Sequence, residues 1–174
     1  MARAFVSVGS NIEPEKNVRS ALQRLGEQVK IRAVSTVYLT EPIGPAGQPP
    51  YYNCVADVET DLTPLGLKQK VLRGIETALG RTRTGDKYAP RAIDLDLILY
   101  DEVVMTTDEL VLPDPDIFRR PFLAAAVREL APNLVMPGSG KHINDGAAPM
   151  PHEMTPLEQY TKLIRKEILH GRTE

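Results

Sequence analysis

A chain of 174 residues with 42% apolar and 25% charged side chains has the makeup of one soluble globular domain with a single sizeable core. Its formal charge of −2 gives no electrostatic reason to expect nucleic acid or an anionic membrane as partner. No apolar run reaches the roughly 18–20 residues that span a bilayer, and the start "MARAFVSVGS" turns polar too soon for a secretion signal. The lone Cys54 excludes an intramolecular disulfide and a cysteine-only zinc site, and reads as a small core residue. A cytoplasmic setting is expected.

"RAFVSVGS" reads as a first strand, with Gly9, Ser10 and Asn11 as turn residues after it. Val18, Ala21, Leu22, Leu25 and Val29 recur at helical spacing and predict a helix from about Glu15 to Val29. "IRAVSTVYLT" is rich in β-branched residues and reads as one strand. The four prolines and two glycines of 41–50 forbid helix or central strand, so this stretch is a loop. In "YYNCVADVET" Tyr52, Cys54, Ala56 and Val58 face one way, and Tyr51, Asn53, Asp57 and Glu59 the other. Thr63-Pro64 opens a second helix whose stripe is Leu67, Val71, Leu72, Ile75 and Leu79, and Gly80 ends it. After the loop "RTRTGDKYAP" comes the strand "AIDLDLILY", with "DEVVMTT" expected to pair back on it as a short hairpin arm.

That order is β-α-β-β-α-β, a ferredoxin-like core: an antiparallel sheet with two helices on one face and the other face left for something else. "RPFLAAAVREL" then reads as a third helix, followed by a proline- and glycine-rich segment to about Pro151. "TPLEQYTKLIRKEIL" reads as a closing helix, with Thr155 and Glu158 as a capping box and Leu157, Tyr160, Ile164 and Ile168 as its stripe.

Two carboxylates interrupt the strand "AIDLDLILY". With period two, Asp94 and Asp96 share one face, spaced by roughly 6–7 Å, and Ile93, Leu95, Leu97 and Leu99 share the other. Two anions that close raise one another's pKa unless a cation lies between them, and oxygen-only ligands suit Mg²⁺. Alternatively the pair is simply solvated on an open sheet face. The neighbouring residues 81–91 carry Arg81, Arg83, Lys87 and Arg91 against Asp86 alone. A cationic loop running into paired carboxylates suits a polyphosphate held with Mg²⁺, where positioning and charge neutralisation do the chemistry. The other reading is a solvated charged turn.

These stretches resemble a known family. "PRAIDLDLILY" preceded by "GRTRTGDKYA", together with "VSVGSNIEPEKNV", "STVYLTEPIGPAGQPPYYNCV" and "PFLAAAVRELAPNLVMPGSG", is similar in kind and order to the 6-hydroxymethyl-7,8-dihydropterin pyrophosphokinases. The resemblance covers about residues 3 to 140. It implies the ferredoxin-like α/β fold and transfer of pyrophosphate from ATP to the pterin hydroxymethyl group, giving AMP, in folate biosynthesis. Residues 1–140 would form the pyrophosphokinase domain. Residues 141–174 would be an extension with a helix, packed on the same domain or mediating association; a monomer is favoured over a dimer. Asp94 and Asp96 would hold two Mg²⁺ ions, and Arg81 and Arg91 would contact the triphosphate and steady its transfer. Glu76, Arg83, Lys87, Tyr88 and Arg120 would complete the ATP site. Tyr51 and Phe122 would sandwich the pterin, Asn53 would read its hydrogen-bonding edge, and backbone around Thr40 to Ile43 would help.

Taken without the family, Tyr51 could equally cover a strand edge and Phe122 could anchor the third helix. Three positions depart from the family pattern. Asp114 stands where histidine is common and cannot donate to a phosphate. Tyr88 replaces a frequent tryptophan and still stacks, and Ala89 replaces a glycine. "GSGKH" (138–142) fails the phosphate-loop spacing, with Val135 and His142 in the deciding places. His142, His152 and His170 lack metal-ligand spacing and read as surface residues. Two rival readings remain: a pterin- or nucleotide-binding module without catalysis, and a two-metal nucleotidyl transferase that would release pyrophosphate instead of AMP. Loops 41–50 and 81–90 are expected to close as lids.

Overall fold

In the computed structural model, which describes residues 1–145 and 154–171, β1 (Ala2–Ser10) is an interior strand of a six-stranded sheet, next to its edge strand. It pairs antiparallel with β4 (Tyr51–Thr60) on one side and β5 (Asp94–Tyr100) on the other. Beyond β4 come β2 (Lys30–Val34) and β3 (Tyr38–Thr40), both antiparallel to it, and β8 (Met154–Pro156) pairs with β3. The expected single strand over 31–40 is therefore two. Between Val34↔Ala56 and Tyr38↔Asn53 the outer strand carries one extra residue. Ser35 fills the break, its N–H donating to the Val55 carbonyl and its hydroxyl accepting the Val55 N–H, both at 2.9 Å.

α1 (Pro14–Gln28) and α2, which spans 64–78 with a π-wound stretch at Leu67–Leu72, cover one face. Their predicted stripes are what they bury: Val18, Leu22, Leu25, Leu67, Leu72 and Ile75 pack on Ala4, Val6, Val8, Cys54, Ala56 and Val58. Each fully buried aliphatic contributes about 1.5–3 kcal/mol, so this interface supplies much of the driving force. Thr63 caps α2 by accepting the Gly66 N–H at 3.1 Å, and Gly80, with φ of +83°, ends the helix where a side chain would be strained. Burial pushes the Cys54 thiol up to about 12, as befits a core residue.

The opposite face is not free of helices, which corrects the expectation of helices on one side only. After the single turn α3 (Asp116–Arg119), α4 (Pro121–Leu130) lays Leu123, Ala126 and Val127 over Phe5, Val55 and Leu99 in a second apolar cluster. α4 covers one half of this face. The other half, around Ser7, Gly9, Asn53 and Asp94, is left as a cleft.

Leu99 is also on the other face from the one expected. In the ladder with β1, Phe5 faces Leu99 and Val6 faces Leu97, so Ile98 is an extra residue. This β-bulge puts Ile98 and Leu99 together in the second cluster, while Leu95 and Leu97 stay under α1 and α2. The expected hairpin arm does not return to β5. β6 (Met105–Thr106) pairs with β7 (Val111–Leu112) as a separate ribbon, and the Asp114 N–H takes the Ile98 carbonyl at 2.9 Å.

In the tail, the expected capping box at Thr155 and Glu158 does not form, because Thr155 is paired with Leu39 in β8. The helix, α5, spans 158–170 and does bury Tyr160, Ile164 and Ile168 in the first cluster. The end of the proline- and glycine-rich segment, Pro151 and His152 lie outside the described residues. "GSGKH" forms a turn closed by a Val135↔His142 bridge, with Gly138 and Gly140 at positive φ, and residues 141–145 after it are not helical. No helix among the described residues is long and apolar enough to cross a membrane.

Candidate active site

The cleft floor is set by strand register. Residues paired across antiparallel strands point to the same face, so Asp94, Gly9, Asn53 and Tyr38 form one row across β5, β1, β4 and β3. Tyr51, Thr40 and Met154 form the next. Gly9 is thus a paired residue near the end of β1 rather than the turn glycine expected from sequence. A Cβ there would lie 2.4 Å from the Asn53 Oδ1, so only glycine leaves Asn53 in place. Asn53 in turn donates from Nδ2 to the Thr40 Oγ1 at 2.7 Å, which aims its amide along the cleft.

Charge is concentrated at the β5 end. Glu76, buried on α2, accepts the Leu95 N–H at 2.9 Å and so ties that helix to the strand. It also binds Arg81 and, at 3.3 Å, Arg83. Arg81 reaches on to the Asp94 Oδ1 at 2.8 Å, and Arg91 takes the Asp94 Oδ2 at 2.9 Å. Both oxygens of Asp94 are therefore held by guanidinium groups. Burial works against the charge on Arg81, but Asp94 and Glu76 outweigh it and hold its pKa above the ordinary value. Asp96 lies two residues along β5 in the same cleft. Although Asp96 is open to solvent on the cleft side, desolvation by the protein crowded around its carboxyl, reinforced by Asp94, Asp114 and Glu76, pushes it up to about 7, and Arg81 offsets only part of this. Asp94 thus adds to the rise at Asp96, which is the repulsion expected of two close carboxylates.

Two loops meet over this floor. The Tyr88 ring packs against Gly44, where an added Cβ would come within 2.6 Å of the ring and where φ is +126°. The Gln48 side chain donates to the Tyr88 carbonyl. Asn11 stitches both loops to β1. Its backbone N–H donates to the Arg91 carbonyl at 3.2 Å, its Oδ1 accepts the Arg91 N–H at 2.8 Å, and its Nδ2 donates to the Pro49 carbonyl at 3.3 Å. Arg91 is thereby anchored through its own backbone while its guanidinium faces Asp94.

The resulting cleft is about 720 Å³ and contains every residue singled out from the sequence. Thr40, Ile43, Tyr51, Asn53 and Phe122 line it, as do Glu76, Arg81, Arg83, Lys87, Tyr88, Arg91, Asp94, Asp96 and Arg120. Phe122 does both things asked of it, packing on the second apolar cluster while lining the cleft. Arg120 is held by Asp116 at 3.2 Å, and Lys87 stands 4.8 Å over the Tyr88 ring. Asp114 also lines the cleft; burial and Asp116 raise its pKa, and the Asp116 N–H it accepts at 2.9 Å lowers it in part. Sequence reasoning missed Ser7, Gln48, Lys68, Arg73 and Met154, all in the lining. Lys68 and Arg73 sit on the helix that bears Glu76, and the spacing of 73 and 76 by three was a readable sign of a shared face. Eight basic and six acidic residues line the cleft, so it is locally cationic in a chain of net negative charge.

Comparison with known proteins supplies the family. Residues 5–132 match the model of 7,8-dihydro-6-hydroxymethylpterin-pyrophosphokinase. The chain is 37% identical over 155 residues to the 2-amino-4-hydroxy-6-hydroxymethyldihydropteridine pyrophosphokinase of Pseudomonas aeruginosa, covering 87% of this chain and 93% of that one. It is 34% identical over 142 residues to the Haemophilus influenzae protein of the same name, covering 80% and 88%. Among solved structures, the fold is similar to a wild-type Plasmodium falciparum HPPK-DHPS at a TM-score of 0.65 and 12% identity, covering 98% of this chain and 42% of that one.

Proposed function

The chain belongs to the 7,8-dihydro-6-hydroxymethylpterin pyrophosphokinase family, and from that premise we propose how its cleft divides the work. The reaction is transfer of pyrophosphate from ATP to the hydroxymethyl group of the dihydropterin, in folate biosynthesis. The hydroxymethyl oxygen attacks the β-phosphorus, and the bond from that phosphorus to the oxygen shared with the α-phosphate breaks. AMP leaves with the electron pair, and the hydroxyl proton is released.

Tyr51 and Phe122 flank the flat pterin, an arrangement that aromatic faces favour. Asn53, held by Thr40 and left room by Gly9, reads the polar edge of the ring with backbone near Ile43. Arg81 and Arg91 exchange Asp94 for phosphate oxygens when the triphosphate enters, since guanidinium binds either anion bidentately. Glu76 keeps Arg81 and Arg83 at the mouth of the cleft meanwhile. Lys87 and Arg120 add positive charge, and Tyr88 offers a face to the nucleotide. Asp94 and Asp96 would hold Mg²⁺, two ions in our reading, and the metal would neutralise phosphate charge during transfer. The contacts among Gly44, Gln48, Tyr88 and Asn11 make loops 41–50 and 81–90 one lid, which closes to exclude water.

The observation that carries this reading is convergence. Residues from 40–43, 51–53, 76–91, 94–96 and 120–122 are far apart in sequence, yet they line one cleft. The test is incubation with ATP, Mg²⁺ and 6-hydroxymethyl-7,8-dihydropterin. AMP should form only when all three are present. Binding of both substrates without AMP would overturn the catalytic reading, and undiminished AMP formation in EDTA would overturn the metal assignment.

A further inference from the structure

The family match ends at residue 132, yet the chain beyond it reaches the cleft. β8 adds itself to the free edge of β3, with Met154 opposite Thr40. That register puts Met154 on the cleft face, in the row that runs Tyr51, Thr40, Met154. Its side chain is only 7% exposed and lines the cleft beside Thr40. The helix that follows fixes the same edge from behind. The Leu157 N–H donates to the Val37 carbonyl at 2.8 Å, and the Thr161 hydroxyl accepts the Val37 N–H at 2.9 Å. Arg165 donates from Nε to the Val34 carbonyl at 2.9 Å. The strand that presents Thr40 is thus pinned on its outer side by the C-terminal segment.

We propose that Met154 is a specificity-determining residue of the pterin subsite, closing its outer side where Asn53 and Thr40 engage the ring. This rests on the pyrophosphokinase reading above. A thioether suits the position: it is apolar, adaptable in shape and favourable at the edge of an aromatic ring. Met154 stands on the far side of Thr40 from Tyr51, so it limits how far a bicyclic heteroaromatic can extend towards β8. The Asp94 and Asp96 end of the cleft, four strands away in the sheet order, takes no part in this contact. The effect should therefore fall on the pterin and spare the nucleotide.

The experiment compares Met154→Ala and Met154→Leu with the unaltered full chain. Pterin Kd is measured without ATP by fluorescence titration, and KM for each substrate by AMP release. Met154→Ala should weaken pterin binding and raise its KM by about tenfold, the scale of one or two lost methylenes in a pocket. ATP KM should stay within about twofold, and Met154→Leu should recover most of the pterin affinity. A pterin Kd unchanged in Met154→Ala, or KM values for pterin and ATP that rise together, would overturn the inference. If Met154→Ala does not fold, Met154→Gln, which keeps the length and adds a polar group, should show the same split, and its failure to do so would overturn it equally. Absence of AMP from the unaltered protein would instead sink the functional reading, because pterin Kd is read independently of turnover.

Discussion

The face of the sheet that carries Asp94 has two halves with opposite physics. Under α4, Phe5, Val55, Ile98 and Leu99 pack against Leu123, Ala126 and Val127, dry and close. In the cleft, the same strands β1, β4 and β5 present Ser7, Gly9, Asn53, Asp94 and Asp96 to the open space. The first half lowers the free energy of the folded chain by removing apolar surface from water. The second raises it, because carboxylates crowd one another and Asp96 is left short of a cation. Stability and chemistry are thus drawn from neighbouring stretches of the same three strands, and substitutions should separate them.

The largest expected effect lies in the cleft. Asp96→Asn removes a carboxylate proposed to ligate metal and should lower turnover on the order of 10³-fold or more, with an unchanged far-ultraviolet circular dichroism spectrum. Retained activity would sink the assignment of Asp96. Next, Leu22→Ala, beneath the opposite face and fully buried, should cost about 2–5 kcal/mol in a denaturant titration. The pterin KM of whatever remains folded should not move, and a large KM change would show that the two regions are coupled. A smaller effect is expected of Gly9→Ala. The added methyl displaces the Asn53 carbonyl oxygen, so pterin KM should rise about tenfold, the worth of a disturbed hydrogen bond in a closed site, while ATP KM holds.

The mildest effect is on pH dependence without metal, because Asp96 is exposed and solvent screens its neighbours. The Asp96 carboxyl is raised from an ordinary 3.8 to about 7 in the folded protein. The folded state therefore binds this proton more tightly than the unfolded chain does. Stability in EDTA should fall as pH rises from about 4 to about 7 and then level off, as far as this group is concerned. Asp96→Asn should flatten that part of the melting-temperature profile and melt higher than the unaltered chain at pH 8. An identical slope in both proteins would mean that Asp96 is not the group responsible.

What could be read from the sequence follows the range over which each signal acts. The stripes of α1 and α2 and the shared face of Asp94 and Asp96 are local periodicities, so they were legible. Tyr51 and Asn53 were readable for the same reason. Gly9 was misread because Gly-Ser-Asn has turn composition, and only the pairing of β1 with both neighbours shows it to belong to the strand. β8 went unseen because three residues carry no period and its partner is more than a hundred residues away. Charge in 81–91 was plain, but which arginine faces which acid depends on the fold. The ties of Arg81 to Glu76 and Asp94 could not be had from spacing alone.

The extra residue at Ile98 has a consequence for anyone re-engineering this scaffold. It acts as a phase shift: upstream of it even-numbered residues of β5 look into the cleft, and downstream the odd-numbered Leu99 takes that side. Deleting Ile98 would straighten the ladder and leave Leu97 opposite Val6, Leu99 opposite Phe5 and Tyr100 opposite Ala4, so each would keep the face it already has. A single-codon deletion there should thus spare the layer under α1 and α2 and cost only the apolar contacts of Ile98 in the second cluster, whereas inserting a residue elsewhere in β5 would disturb both layers.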